Sequence, residues 1–313
     1  GAIDLDSLRT RVAKARIKPA VDKVWSEELA TAMQPLPPEY ARWLLSLAVE
    51  TKEERLTGTA LGLLAHLSRE RQAALSEHLL RLWLANNGDR KLIWLLLFVP
   101  ACGDDRLVEP LFEAFKAWHK RAKPKAVTVL QTLAALDSAF ALSQVYEVFA
   151  KATYSWAIHE GAKAALQGAA GRRGCSLADL FDEITPDFGL TTEGRVFDFG
   201  PYAYTMRVGT DLELSFTHST TGKTSKSLPK AKEGEDLEAR AAAESAIKLL
   251  RGGLKKVIKL QAQRLEDAMV AQRRWPAARW RVLFVDHAVL GLIGQGLIWQ
   301  RLDARGTSLG SLR

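Results

Sequence analysis

The chain has 313 residues, two cysteines and a net charge of +8 from 44 basic and 36 acidic side chains. Cys102 and Cys175 lie far apart and in no CxxC arrangement, which speaks against a disulfide framework or a structural zinc and for a reducing, cytoplasmic setting. The longest apolar run, Leu92 to Cys102, is too short for a bilayer span, and the N-terminus carries no basic-then-apolar leader, so neither a membrane nor a secretory role is expected.

Residues 1–36 form helical patches, with Leu5, Leu8, Val12 and Ala15 as one stripe, and the stretch from Pro35 to Pro38 breaks them. From Glu39 onward the pattern is helix after helix with short connections. The first is Glu39–Glu50, and Thr51 with Glu54 reads as a capping box ahead of the next. Further helices are expected near Ser68–Asn86, Arg90–Ala101, Asp104–Arg121, Pro124–Leu136, Ser138–Lys151, Ser155–Ala170 and Ser176–Glu183. Leu111-Phe112-Glu113-Ala114-Phe115 matches Val145-Tyr146-Glu147-Val148-Phe149 at a separation of 34 residues, each followed by a break and an alanine-richer helix. Paired helices at that period suggest a HEAT- or armadillo-like α-solenoid, with an ordinary helical bundle as the alternative. A helical-repeat domain over 1–183 is therefore expected.

After Glu183 the hydrophobic period changes from helical to alternating. Arg195–Phe199, Ala203–Val208 and Leu212–Thr217 read as a short antiparallel meander, turned at Gly200-Pro201 and Gly209-Thr210-Asp211. A lysine-rich, mobile loop is expected over 219–235. A long helix then runs from about Leu237 to Gln272, with Asp236 as its cap. Its apolar stripe is Ala243, Ile247, Leu250, Leu254, Val257, Gln261, Leu265 and Ala268, and only Gln261 is polar. Gly252-Gly253 interrupts helix propensity without shifting the stripe's phase, which favours close approach of another backbone over a kink. Trp275-Pro276 opens a helix to about Val285, His287 sits in a break, and Leu297–Leu302 with Thr307–Leu312 suit a hairpin. The fold class expected is mainly α, with a mixed α+β domain over 184–313 that looks cut short at its C-terminus.

Charge is segregated along the chain. Residues 221–281 hold 15 Lys and Arg against seven Asp and Glu, which accounts for the whole net charge. Lys248, Arg251, Lys255 and Lys259 share one face of the long helix, with Glu244 four residues before Lys248 in a favourable pairing position. Together with Lys223, Lys226 and Lys230 they are candidate phosphate or nucleic-acid contacts, and a solvated helix face is the plainer reading. Aromatic residues are sparse in that row, so base-specific reading is not expected.

Catalytic motifs fare poorly. Gly222-Lys223-Thr224 resembles the end of a phosphate-binding loop, but the required upstream glycine is Thr217. The six histidines include no pair at i,i+4 spacing and no HExxH, so no metal and no cofactor are expected. His287 with Asp286 and Glu266 would form an acid–base set only if folding gathered them; a structural His287 is the simpler reading.

Several spaced elements resemble a known family. They are Val196-Phe197-Asp198-Phe199-Gly200-Pro201, Tyr204-Thr205-Met206-Arg207-Val208, Gly222-Lys223, Lys226-Ser227-Leu228-Pro229-Lys230, Leu254-Lys255-Lys256, and Gln263-Arg264-Leu265-Glu266 with Ala268-Met269, Arg273, Trp275, His287 and Ile298-Trp299. In this order they resemble the conserved domain of the bacterial molybdate-metabolism-regulator-like proteins, covering roughly 176–313 by motif. The resemblance implies a large cytoplasmic protein that pairs a WGR domain with helical repeats and this region. The family's proline after the histidine is Ala288 here, and no WGR module is seen. Arg264, Glu266, Arg273, Trp275, His287 and Trp299 are read as a structural latch joining helix to sheet, Arg264 and Glu266 each pairing with the meander or the Trp275 segment; a ligand site is the alternative. The functional expectation is a non-enzymatic interaction or scaffold module that binds a protein partner or adjacent domains of a larger protein. A nucleic-acid (DNA or RNA) module using 221–281 stands second. An enzyme with its site between meander and long helix, using Glu266, Arg264 or His287, stands third.

Overall fold

The structure, a computed structural model, describes residues 2–312, with Leu249 described by its backbone alone. It divides into two compact units, Gly1–Leu180 and Phe181–Arg313. The architecture is mainly helical with a small antiparallel sheet.

In the first unit, helices pack as successive neighbours. Val108–Trp118 lies against Lys123–Leu136, and Ala139–Ala150 against Trp156–Arg173. The second members of the two pairs also pack together, as do the first members. A side-chain oxygen stands at the start of several of these helices or of a leading 3-10 turn. Ser68 accepts from the Arg71 amide at 3.3 Å, Asp104 from the Arg106 amide at 3.0 Å, Ser138 from the Ala141 amide at 3.1 Å, and Ser176 from the Asp179 amide at 3.1 Å. The caps recur every 34 to 38 residues. Neighbouring turns are stitched as well. Arg106 reaches Glu70 at 3.0 Å, and the Arg172 and Arg173 guanidiniums donate to the Ala134 and Asp137 carbonyls at 2.6 Å each.

Two local expectations in this unit are corrected. Thr51 and Glu54 do not open a helix: Thr51 accepts from the Glu53 amide in a turn, and the helix Thr59–Leu64 starts behind Gly58 instead. The stretch expected as one helix from Arg90 is a 3-10 helix, Arg90–Leu97, followed by the short α-helix Phe98–Cys102.

The second unit holds a four-stranded antiparallel meander of β1 (Arg195–Asp198), β2 (Ala203–Val208), β3 (Leu214–His218) and β4 (Thr224–Ser225). Strand alternation puts Phe197, Tyr204, Met206, Leu214 and Phe216 on one buried face, with Phe199 continuing it. In register, Phe197 opposes Tyr204 and Met206 opposes Phe216. The third strand starts two residues later than its sequence pattern implied, because Leu212 takes a left-handed turn conformation (φ 63°) with its amide bonded to Gly209.

The long helix, Leu237–Val270, lays its stripe across that face. Asp236 caps it, accepting from the Glu238 and Ala239 amides at 2.9 and 3.0 Å. All eight stripe residues are buried. The first part, to Val257, packs with the sheet residues and Val289, while Leu265 belongs to a second cluster with Leu283, Phe284 and Leu290. The helix is continuous through Gly252-Gly253. A Cβ on Gly253 would lie 2.9 Å from the Phe188 ring, so the close approach comes from a side chain rather than a backbone; Gly252 faces open space.

Part of the 219–235 loop, expected to be mobile, is paired with the rest of the unit. Its residues 224–225 form β4 against β3, and buried Arg240 donates to the Pro229 carbonyl and to Glu235 at 2.8 Å. After the helix come the short α-helix Ala277–Arg281, a π-helical turn Val282–Asp286 and the helix Ala288–Gly294. The chain closes with a hairpin of β5 (Trp299–Leu302) and β6 (Ser308–Leu312). Among the described residues no helix is long and apolar enough to cross a membrane.

Candidate interface for an anionic partner

Lys248, Arg251, Lys255 and Lys259 are exposed along the long helix, and Lys256 beside them is exposed too. The stripe at 247, 250, 254 and 257 fixes their orientation, because burying it leaves these positions on the solvent side. No ion pair joins the four to a carboxylate among the described residues. The pairing expected for Lys248 does not form. Glu244 turns to Arg240 instead, at 3.0 Å from its Nε. Arg240 is buried, and its guanidinium lies 5.1 Å over the Phe199 ring, so it takes the nearby carboxylates that desolvation forces it to find.

A groove of about 340 Å³ opens against this face, lined by Ser227, Leu228, Glu244, Ile247, Lys248 and Arg251. Its walls are apolar at Leu228 and Ile247, cationic at Lys248 and Arg251, and anionic at Glu244, whose charge is engaged by Arg240. The loop wall is held by Arg240, which bonds the Pro229 carbonyl. Lys223, Lys226 and Lys230 are all exposed on the adjoining segment, though only the Ser227–Leu228 part of that segment lines the groove. Gly222 (φ 68°) turns the chain into β4, and no helix follows it, so the Gly-Lys-Thr sequence is a hairpin corner and not a phosphate loop.

The six residues read as a latch fall into three groups. Arg264, Arg273 and Trp275 converge on one fully buried carboxylate, Asp182. Arg264 binds it through Nη1, Arg273 through Nη2 at 2.6 Å, and Trp275 through Nε1 at 3.0 Å. Arg279 stands 3.8 Å from the same carboxylate and bonds Glu183 at 3.1 Å. Gln261, the polar member of the stripe, accepts from Arg264 Nε at 2.5 Å. The expected partners of Arg264 in the meander or the Trp275 segment are therefore corrected: the charge it meets lies in the helix Leu177–Glu183, ahead of the sheet. Charge-assisted bonds of this kind, to a buried carboxylate, fix the orientation of their donors.

His287 and Trp299 hold the second group. His287 Nδ1 accepts from the Val289 and Leu290 amides at 3.2 Å each, capping the last helix, and Nε2 bonds the Thr185 carbonyl at 3.0 Å. Trp299 donates to the Gly294 carbonyl at 3.0 Å and packs among Trp275, Trp280 and Phe284, with centroids 4.5–6.0 Å away. Glu266 stands apart, exposed on the helix. The acid–base set of His287, Asp286 and Glu266 is not assembled: His287 is spent on backbone groups, and Asp286 faces Arg281 at 3.9 Å. Among the described residues no three His, Cys, Asp or Glu side chains are grouped to hold a metal ion.

Sequence reading missed Asp182 and Arg240. Each is a charged residue among apolar helical positions, and no spacing or motif set either apart from its charged neighbours. Residues 222–313 match a family described as a domain of unknown function, DUF4132. The chain is 30% identical over 230 residues to the uncharacterized protein YehI of Escherichia coli (strain K12), a stretch that covers 72% of this chain and 19% of that protein. The chain thus spans about a fifth of the length of that relative. No solved structure matches.

Proposed function

We propose that the chain is a non-catalytic interaction module of a larger cytoplasmic protein, in which a HEAT-like helical repeat carries an α+β unit whose basic helix face receives an acidic segment of a partner. The observation that carries this reading is the row Lys248, Arg251, Lys255 and Lys259, exposed and without carboxylate partners among the described residues, next to a groove with apolar walls. Cations with an apolar wall between them suit a peptide that alternates acidic and apolar side chains. The capping residues at 68, 104, 138 and 176 support the repeat reading, since they recur at a similar spacing at helix starts or a leading 3-10 turn. The resemblance to molybdate-metabolism-regulator-like proteins would place the module beside a WGR domain.

The test is fluorescence anisotropy with a labelled peptide of alternating Glu and Leu. Binding is expected at low ionic strength, to weaken with salt, and to fall at least tenfold in Lys248→Glu/Arg251→Glu with the fold intact. Absence of binding at low salt overturns the reading. A second reading is favoured by the row's length. The eleven rises of 1.5 Å from Lys248 to Lys259 make it about 16 Å long, enough to track a duplex backbone. A 20-base-pair duplex that binds tighter than the peptide, with the same dependence on Lys248 and Arg251, would select it.

A further inference from the structure

The first unit carries a basic, aromatic edge that is hidden in the charge balance of the chain. Between Lys116 and Lys125 lie five Lys and Arg and no Asp or Glu, interleaved with Trp118 and His119. The next connection, 151–156, supplies Lys151, Tyr154 and Trp156, again with no carboxylate.

Packing brings these connections together. The Trp118 ring rests on the turn at Gly88, where an added Cβ would come within 2.8 Å of it, and meets Trp83 edge-on at 5.5 Å. Lys125 Nζ donates to the Asn87 carbonyl at 2.5 Å and lies 5.5 Å over the Trp118 ring. Tyr154 meets Phe115 and His119 edge-on at 5.5 and 5.2 Å. The turns around 87, 119 and 154 therefore form one edge.

Two kinds of group on that edge are unspent. Lys120, Arg121 and Lys123 are exposed and have no ion pair among the described residues, whereas Lys116 and Lys151 are paired with Glu113 and Glu147. Trp156 opens the helix Trp156–Arg173 with 78% of its surface exposed. An exposed indole on a helix end contributes little to the core and offers a face for stacking. Cations that track a backbone beside an aromatic platform are the chemistry that recognises single strands, whose bases are free to splay.

We propose that this edge binds single-stranded nucleic acid, with Lys120, Arg121 and Lys123 on phosphates and Trp156 stacking on a base. It is distinct from the basic helix face of the other unit and does not depend on it.

The experiment is fluorescence anisotropy of the full chain with labelled oligo-dT of 20 nucleotides, against a duplex of equal length and a polyglutamate peptide. Tighter binding of the single strand than of either competitor is expected, with log K falling against log salt at a slope of about −2 for three phosphates. Trp156→Leu should weaken binding roughly tenfold, while Trp156→Phe retains most of it, because a ring face and not apolar area is what counts. Lys120→Glu/Arg121→Glu/Lys123→Glu should abolish it and flatten the salt slope, whereas Lys248→Glu/Arg251→Glu should leave it unchanged. Circular dichroism of the exposed-residue variants checks that they remain folded. Equal affinity for polyglutamate, indifference to Trp156→Leu, or loss through Lys248→Glu/Arg251→Glu alone would overturn the proposal.

Discussion

Asp182→Asn is the most informative single change in the second unit. The carboxylate is fully buried and bonds Arg264, Arg273 and Trp275, with Arg279 within 3.8 Å. Asparagine keeps the shape and one acceptor oxygen but removes the negative charge that the buried Arg264 and half-buried Arg273 share. Breaking a buried pair from one side costs about 3–5 kcal/mol, mostly as the desolvation of the stranded cation. For a unit of this size that corresponds to a fall of roughly 10–20 °C in its melting temperature. The assay is thermal unfolding followed by hydrogen exchange and mass spectrometry, read separately on peptides from 1–180 and 181–313. The loss should be confined to the second set. Adding Arg273→Gln should recover part of it, because the double variant strands one charge fewer. A change below about 1 kcal/mol in the second unit would refute the view that this cluster holds it together.

Three further outcomes follow from the same structure. Gly252→Ala is expected to stabilise by up to about 1 kcal/mol and Gly253→Ala to destabilise by about 1–3 kcal/mol, since only the latter meets the Phe188 ring; urea unfolding of the pair decides it. Burial pushes the Cys102 thiol up to about 12, so in the native chain it should resist a disulfide reagent at pH 8 until denaturant is added. The unfolded thiol ionises first, so its contribution to stability is intact below about pH 9 and is lost between about 9 and 12, which Cys102→Ala should remove from the alkaline unfolding profile. Arg240→Met should strand buried Glu235 and free the Ser227–Pro229 wall, giving faster amide exchange over 227–235 with the long helix retained.

The long helix was legible because its stripe keeps a 4-3 rhythm for 26 residues and Asp236 sits where a cap must be. Its one anomaly, Gln261, was legible as an anomaly and not as a partner: it accepts from Arg264, three residues on. The Asp182 cluster was half visible. Arg264, Arg273 and Trp275 stood out, but their common acceptor lies 82 to 93 residues earlier, and a pairing at that distance leaves no periodic trace. The Glu244–Lys248 pairing failed for a related reason: helix spacing admits both Arg240 and Lys248 as partners, and burial of Arg240 outweighed the better orientation of Lys248. The edge around Trp118 and Trp156 was invisible in net charge because the chain outside 221–281 is neutral as a whole. Only packing of successive turns gathers its residues.

Lysine footprinting in the presence of the Glu-Leu peptide tests the central claim most directly. Acetylation rates at Lys248, Lys255 and Lys259 should fall together on binding, while Lys120 and Lys123 in the other unit keep their rates. Protection spread evenly over all exposed lysines, or none at these three, would contradict the account.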